Sequence, residues 1–220
     1  MTDGSRSRRH YAGRSAEERA GQRRARLLTA ALALYGTRGY AGTSIEQLCS
    51  AASISTRSFY DEMGSRENLL IALADDITGR AAAAALTELR TAAEAPIAER
   101  IARGFRAYLE VTCRTPESAR VCYIEVVGVS DAVEGWRREW RRRIGELLRS
   151  EAERAVARGE ARPRDYRLFA VAVIGAVNSL AQELARGDQD REPAPTLDEI
   201  CSEIIDFVAA GITRPERAAP

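Results

Sequence analysis

The stretch from Thr43 to Met63 constrains this chain more than any other. Thr43 ahead of Ile45, with Glu46 three residues on, reads as a capping box that opens a helix. Ile45, Leu48, Cys49 and Ala52 then fall on one apolar face at helical spacing. Ser53 makes the turn. Ser55 caps a second short helix, in which Phe59 and Met63 point inward one turn apart. The outer side of that helix is Thr56, Arg57, Ser58, Tyr60 and Asp61, all hydrogen-bonding side chains. Two short helices around a tight turn, the second polar and partly basic, are the form that enters a major groove of DNA.

Charge supports that direction. The net charge is only +1, but residues 1–66 carry 11 Arg against 6 acidic residues, a local excess of +5, and the remainder is net −4. A basic end suits nucleic acid, and an acidic end suits a different task. Residues 1–15, with Arg6, Arg8, Arg9 and Arg14 among small residues, lack periodicity and are expected to be a disordered tail. Such an arm either reaches a minor groove or only adds electrostatic attraction.

Composition excludes several classes. There is no apolar run of the ~18 residues that span a membrane, and no secretory signal, so a cytoplasmic protein is expected. Cys49, Cys113, Cys122 and Cys201 are scattered in apolar helical patterns. They read as buried reduced thiols, with a redox-sensing Cys113/Cys122 pair as the alternative. The one histidine, His10, lies in the tail, so a His-based triad or a His/Cys zinc site has almost no raw material. Neither a metal nor a cofactor is expected, and no carboxylate motif has catalytic spacing.

The pattern is helical throughout. The first helix is expected from about Ala16 to Thr37, ended by Gly36 and Gly39. Ser65 caps a fourth helix that passes Leu69, Leu70 and Leu73 and ends near Ala95–Pro96. Ile97, Ile101, Phe105, Tyr108 and Leu109 stripe the next, and Pro116 breaks the chain after it. An apolar run from Ala119 to Val129 follows. A long helix runs from about Val133 to Ala157, with Trp136, Trp140, Ile144, Leu147 and Leu148 opposite a dense arginine face. The last two helices are expected at about Arg164–Arg186 and Thr196–Gly211, and a tail from Thr213. Phe169–Leu184 is apolar on two sides, which gives it a second surface to bury.

Further anchors follow in order: Tyr35, Gly39, Tyr40, Thr43, Ser44, Ile45, Leu48, Ala52, Ile54, Ser55, Tyr60 and the run Gly64 to Leu70. Over about residues 20–73 this resembles the DNA-binding domain of the tetracycline-repressor (TetR) family. Ser53 stands where that family often has Gly, Met63 where an aromatic is usual, and Glu62 where a non-acidic residue is common. The resemblance implies an all-α protein of about nine helices, with a helix-turn-helix domain (16–63), a fourth helix from 65 that links, and a ligand-binding and dimerisation domain (64–212). It implies that Ser58 and Tyr60 face DNA and that Arg66 meets a phosphate. It also implies a small-molecule chamber between the fourth and eighth helices and a dimer through the last two.

Residue chemistry adds the rest. Thr56, Arg57, Ser58 and Tyr60 can reach base edges and phosphates, with Arg57 directed to either guanine or a phosphate. Thr43, Ser44 and Ser55 cap helices whose N-termini favour anions. Asp61 and Glu62 either accept from cytosine or face solvent. Candidate chamber residues are Phe105, Tyr108, Cys122, Glu125, Trp136, Trp140 and Asn178. Glu125 and Asn178 are polar in apolar contexts and need partners. Glu125 either faces the chamber or pairs with an arginine of the long helix such as Arg143. Together with the resemblance, these residues lead to the expectation of a homodimeric regulator of double-stranded DNA, a repressor released by a small molecule, without membrane association or enzymatic activity. The alternatives are a ligand-independent architectural DNA-binding protein and an α-helical enzyme with an accessory DNA-binding domain.

Overall fold

A computed structural model describes residues 16–187, 193 and 195–212, and the expected tails at 1–15 and 213–220 lie outside it. Among the described residues the chain is all-helical, with nine α-helices and no strand. α1 (Ala16–Arg38), α2 (Ile45–Ala52) and α3 (Thr56–Met63) form the helix-turn-helix end. α4 (Arg66–Thr91), α5 (Ile97–Thr112), α6 (Pro116–Arg120), α7 (Asp131–Ala157), α8 (Arg167–Arg186) and α9 (Leu197–Ile212) form the body. α6 runs on into one wider π-type turn at Val121–Glu125.

Local chemistry sets the boundaries, with corrections to the expectations. The capping box of α2 belongs to Ser44 and Gln47, not to Thr43 and Glu46: the Ser44 hydroxyl accepts the Gln47 N–H, and Gln47 Oε1 accepts the Ser44 N–H. Thr43 is buried, and its hydroxyl instead donates to the Gly39 carbonyl at 2.8 Å. Ser53 takes the left-handed conformation at φ 52°, closing α2 as a glycine would. α1 ends at Arg38, and only Gly39, at φ 81°, is its stop. Gly36 lies inside the helix. A Cβ there would come within 2.3 Å of Glu117 Cβ, so the bare backbone is what lets α6 lie against α1. Gly211 likewise belongs to α9, where a Cβ would fall 2.4 Å from the Phe169 ring. α4 stops at Thr91, because the chain turns through Ala92–Ala95 before Pro96 opens α5.

α4 joins the two ends. Its first turns bury Leu69, Leu70 and Leu73 in the core formed with Leu27, Tyr35, Leu48, Phe59 and Met63. Further along, Ile77, Ala81 and Ala85 face the body, where small side chains let α5 approach closely. α7 is packed differently. Over 27 residues it fully buries only Val133, Ala152 and Ala155, all near its ends, so its middle spans the body without sealing against it.

One buried ion cluster ties α5 to the end of α7. Arg100 is fully buried, and its guanidinium meets Glu151 at 3.4 Å, Glu160 at 3.5 Å and the Ala95 carbonyl at 3.3 Å, while Nε has no hydrogen-bond partner among the described residues. Glu160 also accepts the Ile97 N–H at 2.9 Å, capping α5.

Candidate DNA interface and effector cavity

The α2–turn–α3 unit is held from behind. Phe59 and Met63 anchor α3 in the core, and Ser55 caps it by accepting the Ser58 N–H at 3.1 Å. Ser55 and Ser58 also share a hydroxyl hydrogen bond of 2.9 Å. Thr56, Arg57, Tyr60 and Asp61 are then exposed, and Ser58 is half-buried. Tyr60 stands edge-on to Phe59 and is 52% exposed, so its ring is fixed while its hydroxyl faces outward. Among the described residues Arg57 forms no ion pair or hydrogen bond, which leaves its guanidinium available to an incoming group. Ser44, half-buried, holds the N-terminus of α2.

Two residues singled out in the sequence have partners within the protein. The Arg66 guanidinium lies 4.4 Å above the Tyr40 ring and donates to the Thr43 carbonyl. It therefore braces the loop before α2. Glu62 is not a solvent-facing acid of α3. Its Oε1 accepts Arg23 Nε of α1 at 2.7 Å, fastening α3 to α1.

Glu125 is the largest displacement from expectation. It neither lines the cavity nor pairs with Arg143, which is bound to Glu139 on α7. One Glu125 oxygen accepts Arg120 Nε at 2.7 Å, and the other accepts the Tyr40 backbone N–H at 2.6 Å. The π-type turn causes this. By widening the helix it points Glu125 at the α1–α2 loop while Cys122 and Tyr123, on the same turn, face the body.

Beneath the middle of α7 lies a cavity of about 120 Å³, walled by α4, α5, α7 and α8. Phe105, Tyr108, Trp140 and Asn178 line it, with aliphatic side chains such as Leu89, Ile101, Ile144, Leu147 and Val173. Cys122 and Trp136 line a smaller adjoining cleft of about 50 Å³, which shares Tyr108, Tyr123, Trp140, Arg141 and Asn178 with the larger space. Trp136 Nε1 donates to Asp75 at 3.0 Å, and Trp140 Nε1 to the Tyr108 hydroxyl at 3.4 Å. Burial raises the Tyr108 and Tyr123 phenols well above their ordinary range, so both are neutral hydrogen-bonding groups. Tyr123 donates to Thr112 at 2.8 Å. No cluster of metal-ligating side chains occurs among the described residues.

Sequence reasoning did not single out Arg100, Arg120 or Arg141, and it named Tyr40 only as an anchor of the resemblance. Arg100 did leave a signal: it falls on the same helical face as Ile97, Ile101 and Gly104, where an exposed arginine does not belong. The partners of Glu125 left none, because the wider turn that aims it has no sequence signature.

Comparison with known proteins extends this geometry. Residues 27–73 match the bacterial regulatory proteins of the tetR family, and residues 98–208 match the tetracyclin repressor-like C-terminal domain. No match is found among curated proteins. Among solved structures, the transcriptional regulator FadR from Bacillus subtilis, in complex with stearoyl-CoA, is 16% identical with a TM-score of 0.75, over 86% of this chain and 98% of that one. The fatty acid degradation regulator FadR from Bacillus halodurans is 14% identical with a TM-score of 0.75, over 91% and 98%. A transcriptional regulator from Saccharomonospora viridis, in complex with choline, is 18% identical with a TM-score of 0.71, over 88% and 99%. At such identities the likeness is one of fold. The two family matches, however, run through both the helix-turn-helix and the helical body, and on that ground the chain belongs to the tetR family of bacterial regulatory proteins.

Proposed function

We propose that this regulator is a homodimeric repressor that holds operator DNA through α3 and lets go when a small molecule enters the cavity beneath α7. The observation that carries the proposal is the Val121–Glu125 turn. Tyr123 on that turn borders the cavity, and Glu125, two residues on, holds the backbone of the loop that leads into α2. A ligand that repositions Tyr123 also repositions the loop carrying Tyr40 and Thr43. Two α3 helices must sit about 34–36 Å apart to enter successive major grooves. A small rotation of each helix-turn-helix unit spoils that match, so the ligand favours a state that binds DNA poorly.

The dimer rests on α8 and α9. An 18-residue window of α8 has a mean hydropathy of 1.6 but is only 22% buried within the protomer. Leu168 and Val171 on α8 and Phe207 on α9 are exposed. In a family member a second copy of the same surface is the natural cover. In the relatives of this fold the bound molecules are stearoyl-CoA and choline, and the cavity here is placed to receive an effector of its own.

The test is selection of duplexes from a random DNA pool, followed by light scattering of the complex. The proposal expects a palindromic site carrying two chains. It also expects Leu168→Glu/Phe207→Glu to give folded monomers that no longer hold it. One chain per duplex would reject the dimer.

A further inference from the structure

The chamber beneath α7 is small and almost wholly apolar. At about 120 Å³ it is comparable with an apolar cavity of about 150 Å³ that holds a single benzene ring. A long acyl chain has several times the carbon atoms of one ring and exceeds that space. The aromatic side chains of Phe105, Tyr108, Tyr123 and Trp140 all border it. Their edges and faces suit a further ring in an edge-to-face or offset arrangement.

Little in the wall can hold a charge. Glu151 borders the chamber, but its carboxylate is shared between Arg100 at 3.4 Å and Arg154 at 3.2 Å. Arg141 is exposed, so water solvates its charge at the rim. An ion entering the apolar interior would lose its own water without gaining an opposite charge there. An uncharged ligand loses far less.

The neutral polar side chains of the wall are engaged, with one exception. Trp140 Nε1 donates to the Tyr108 hydroxyl, and the Tyr123 hydroxyl donates to Thr112. The Asn178 amide, half-buried on α8, has no hydrogen bond among the described residues. An amide offers two donors and an acceptor, and a hydroxyl can both donate to it and accept from it.

We infer that the effector is a compact, uncharged molecule with one aromatic ring and one hydroxyl, its ring held among Phe105, Tyr108 and Trp140 and its hydroxyl on the Asn178 amide. The inference rests on the reading of the cavity as the effector chamber. A ring placed there also lies beside Tyr123, where the route to the loop before α2 begins.

The experiment is calorimetric titration of the full chain with p-cresol, toluene, benzoate, benzylamine and palmitate, the last below its aggregation threshold. At neutral pH p-cresol and toluene are uncharged, benzoate is an anion and benzylamine a cation. p-Cresol should bind about two- to tenfold more tightly than toluene, the worth of one neutral hydrogen bond. Either ion, and palmitate, should bind at least about tenfold more weakly than p-cresol. Asn178→Leu, close in shape, should bring p-cresol to the level of toluene and leave toluene unchanged. Melting curves show whether that variant is folded, and the ranking of probes on the wild type tests the inference even if it is not. Tighter binding of palmitate than of p-cresol, or binding of either ion as tight as that of p-cresol, overturns the compact uncharged ligand while leaving the chamber intact. Equal binding of p-cresol and toluene, or a preference that survives Asn178→Leu, overturns the inference by removing its hydroxyl contact. Failure of every probe to bind overturns the chamber reading as well.

Discussion

The Glu125 carboxylate accepts the backbone N–H of Tyr40 at 2.6 Å, joining residues 85 positions apart in sequence. It is a direct bond between the body and the loop that positions the DNA-contacting helices. Gly39, adjacent to Tyr40, would carry a Cβ only 3.1 Å from the same oxygen. The contact thus needs both the positive φ at Gly39 and the room its missing side chain leaves. Arg120 supplies the counter-charge.

Removing that bond should separate binding from response. Glu125→Ala is expected to lower stability by about 1.5–3 kcal/mol, the range for a hydrogen bond to a charged group. Effector affinity should stay near wild type, because Glu125 does not line the cavity. The loss should appear in effector-driven release of DNA. Thermal melts with parallel binding curves check this, and a fully retained release would show that the signal travels by another route.

Arg57 and Arg66 should behave differently although both were read from the sequence as DNA contacts. Arg57 is exposed and unengaged, so Arg57→Ala should leave the melting temperature unchanged. If it reads a base, it should weaken operator binding by about 1–3 kcal/mol and relax preference at one position per half-site. Arg66 stacks on Tyr40 and holds the Thr43 carbonyl, so Arg66→Ala should also lower the melting temperature. Anisotropy titrations on matched and mismatched duplexes, read against melting curves, separate the two.

The contrast shows what sequence could convey. The α2–turn–α3 unit was legible because its determinants are local: capping hydroxyls, an apolar face on each short helix, and a turn at Ser53. Helical spacing placed Phe105, Tyr108 and Trp140 on apolar helix faces, and only the resemblance pointed them at a chamber; all three line the cavity. Thr43 was expected to cap α2, Glu62 to meet cytosine or solvent, and Arg66, by resemblance, a phosphate; each has a protein partner whose proximity depends on tertiary structure. Glu125 was recognised as needing a partner, but the choice among arginines depended on the π-type turn, which aims it away from α7.

Arg100 gives a stability test in a region remote from DNA. Arg100→Ala would remove the buried cation shared by Glu151 and Glu160, which keep Arg154 at 3.2 Å and Arg158 at 2.8 Å, so the cost should be about 1.5–3 kcal/mol, the range for hydrogen bonds to a charged group. Arg100→Met keeps most of the volume and should recover part of the loss only when Glu151 and Glu160 are also made neutral. Denaturant unfolding of the single and triple variants checks this. A wild-type midpoint for Arg100→Ala would show that the cluster contributes nothing.

All four cysteines are free and buried. Burial raises the Cys113 thiol from 9.0 to about 11, and raises those of Cys49, Cys122 and Cys201 as well. At pH 8 only about one Cys113 in a thousand is the reactive thiolate. A thiol-specific reagent should therefore find no fast-reacting cysteine in the folded protein and four after denaturation. The same shift has a sign for stability. Between pH 9 and 11 the native state keeps a proton that the unfolded chain has released, so stability present below pH 9 should fall across that window. Rapid native labelling of Cys113 or Cys122 would instead favour a redox role.

The central claim is that occupation of the cavity weakens the grip on DNA. Its most direct test is the operator dissociation constant, measured by anisotropy with and without a compound that quenches Trp140 and raises the melting temperature. The account predicts a weakening of roughly 5–150-fold, with DNA lowering the affinity for that compound by the same factor. An unchanged operator affinity with the cavity fully occupied would contradict it.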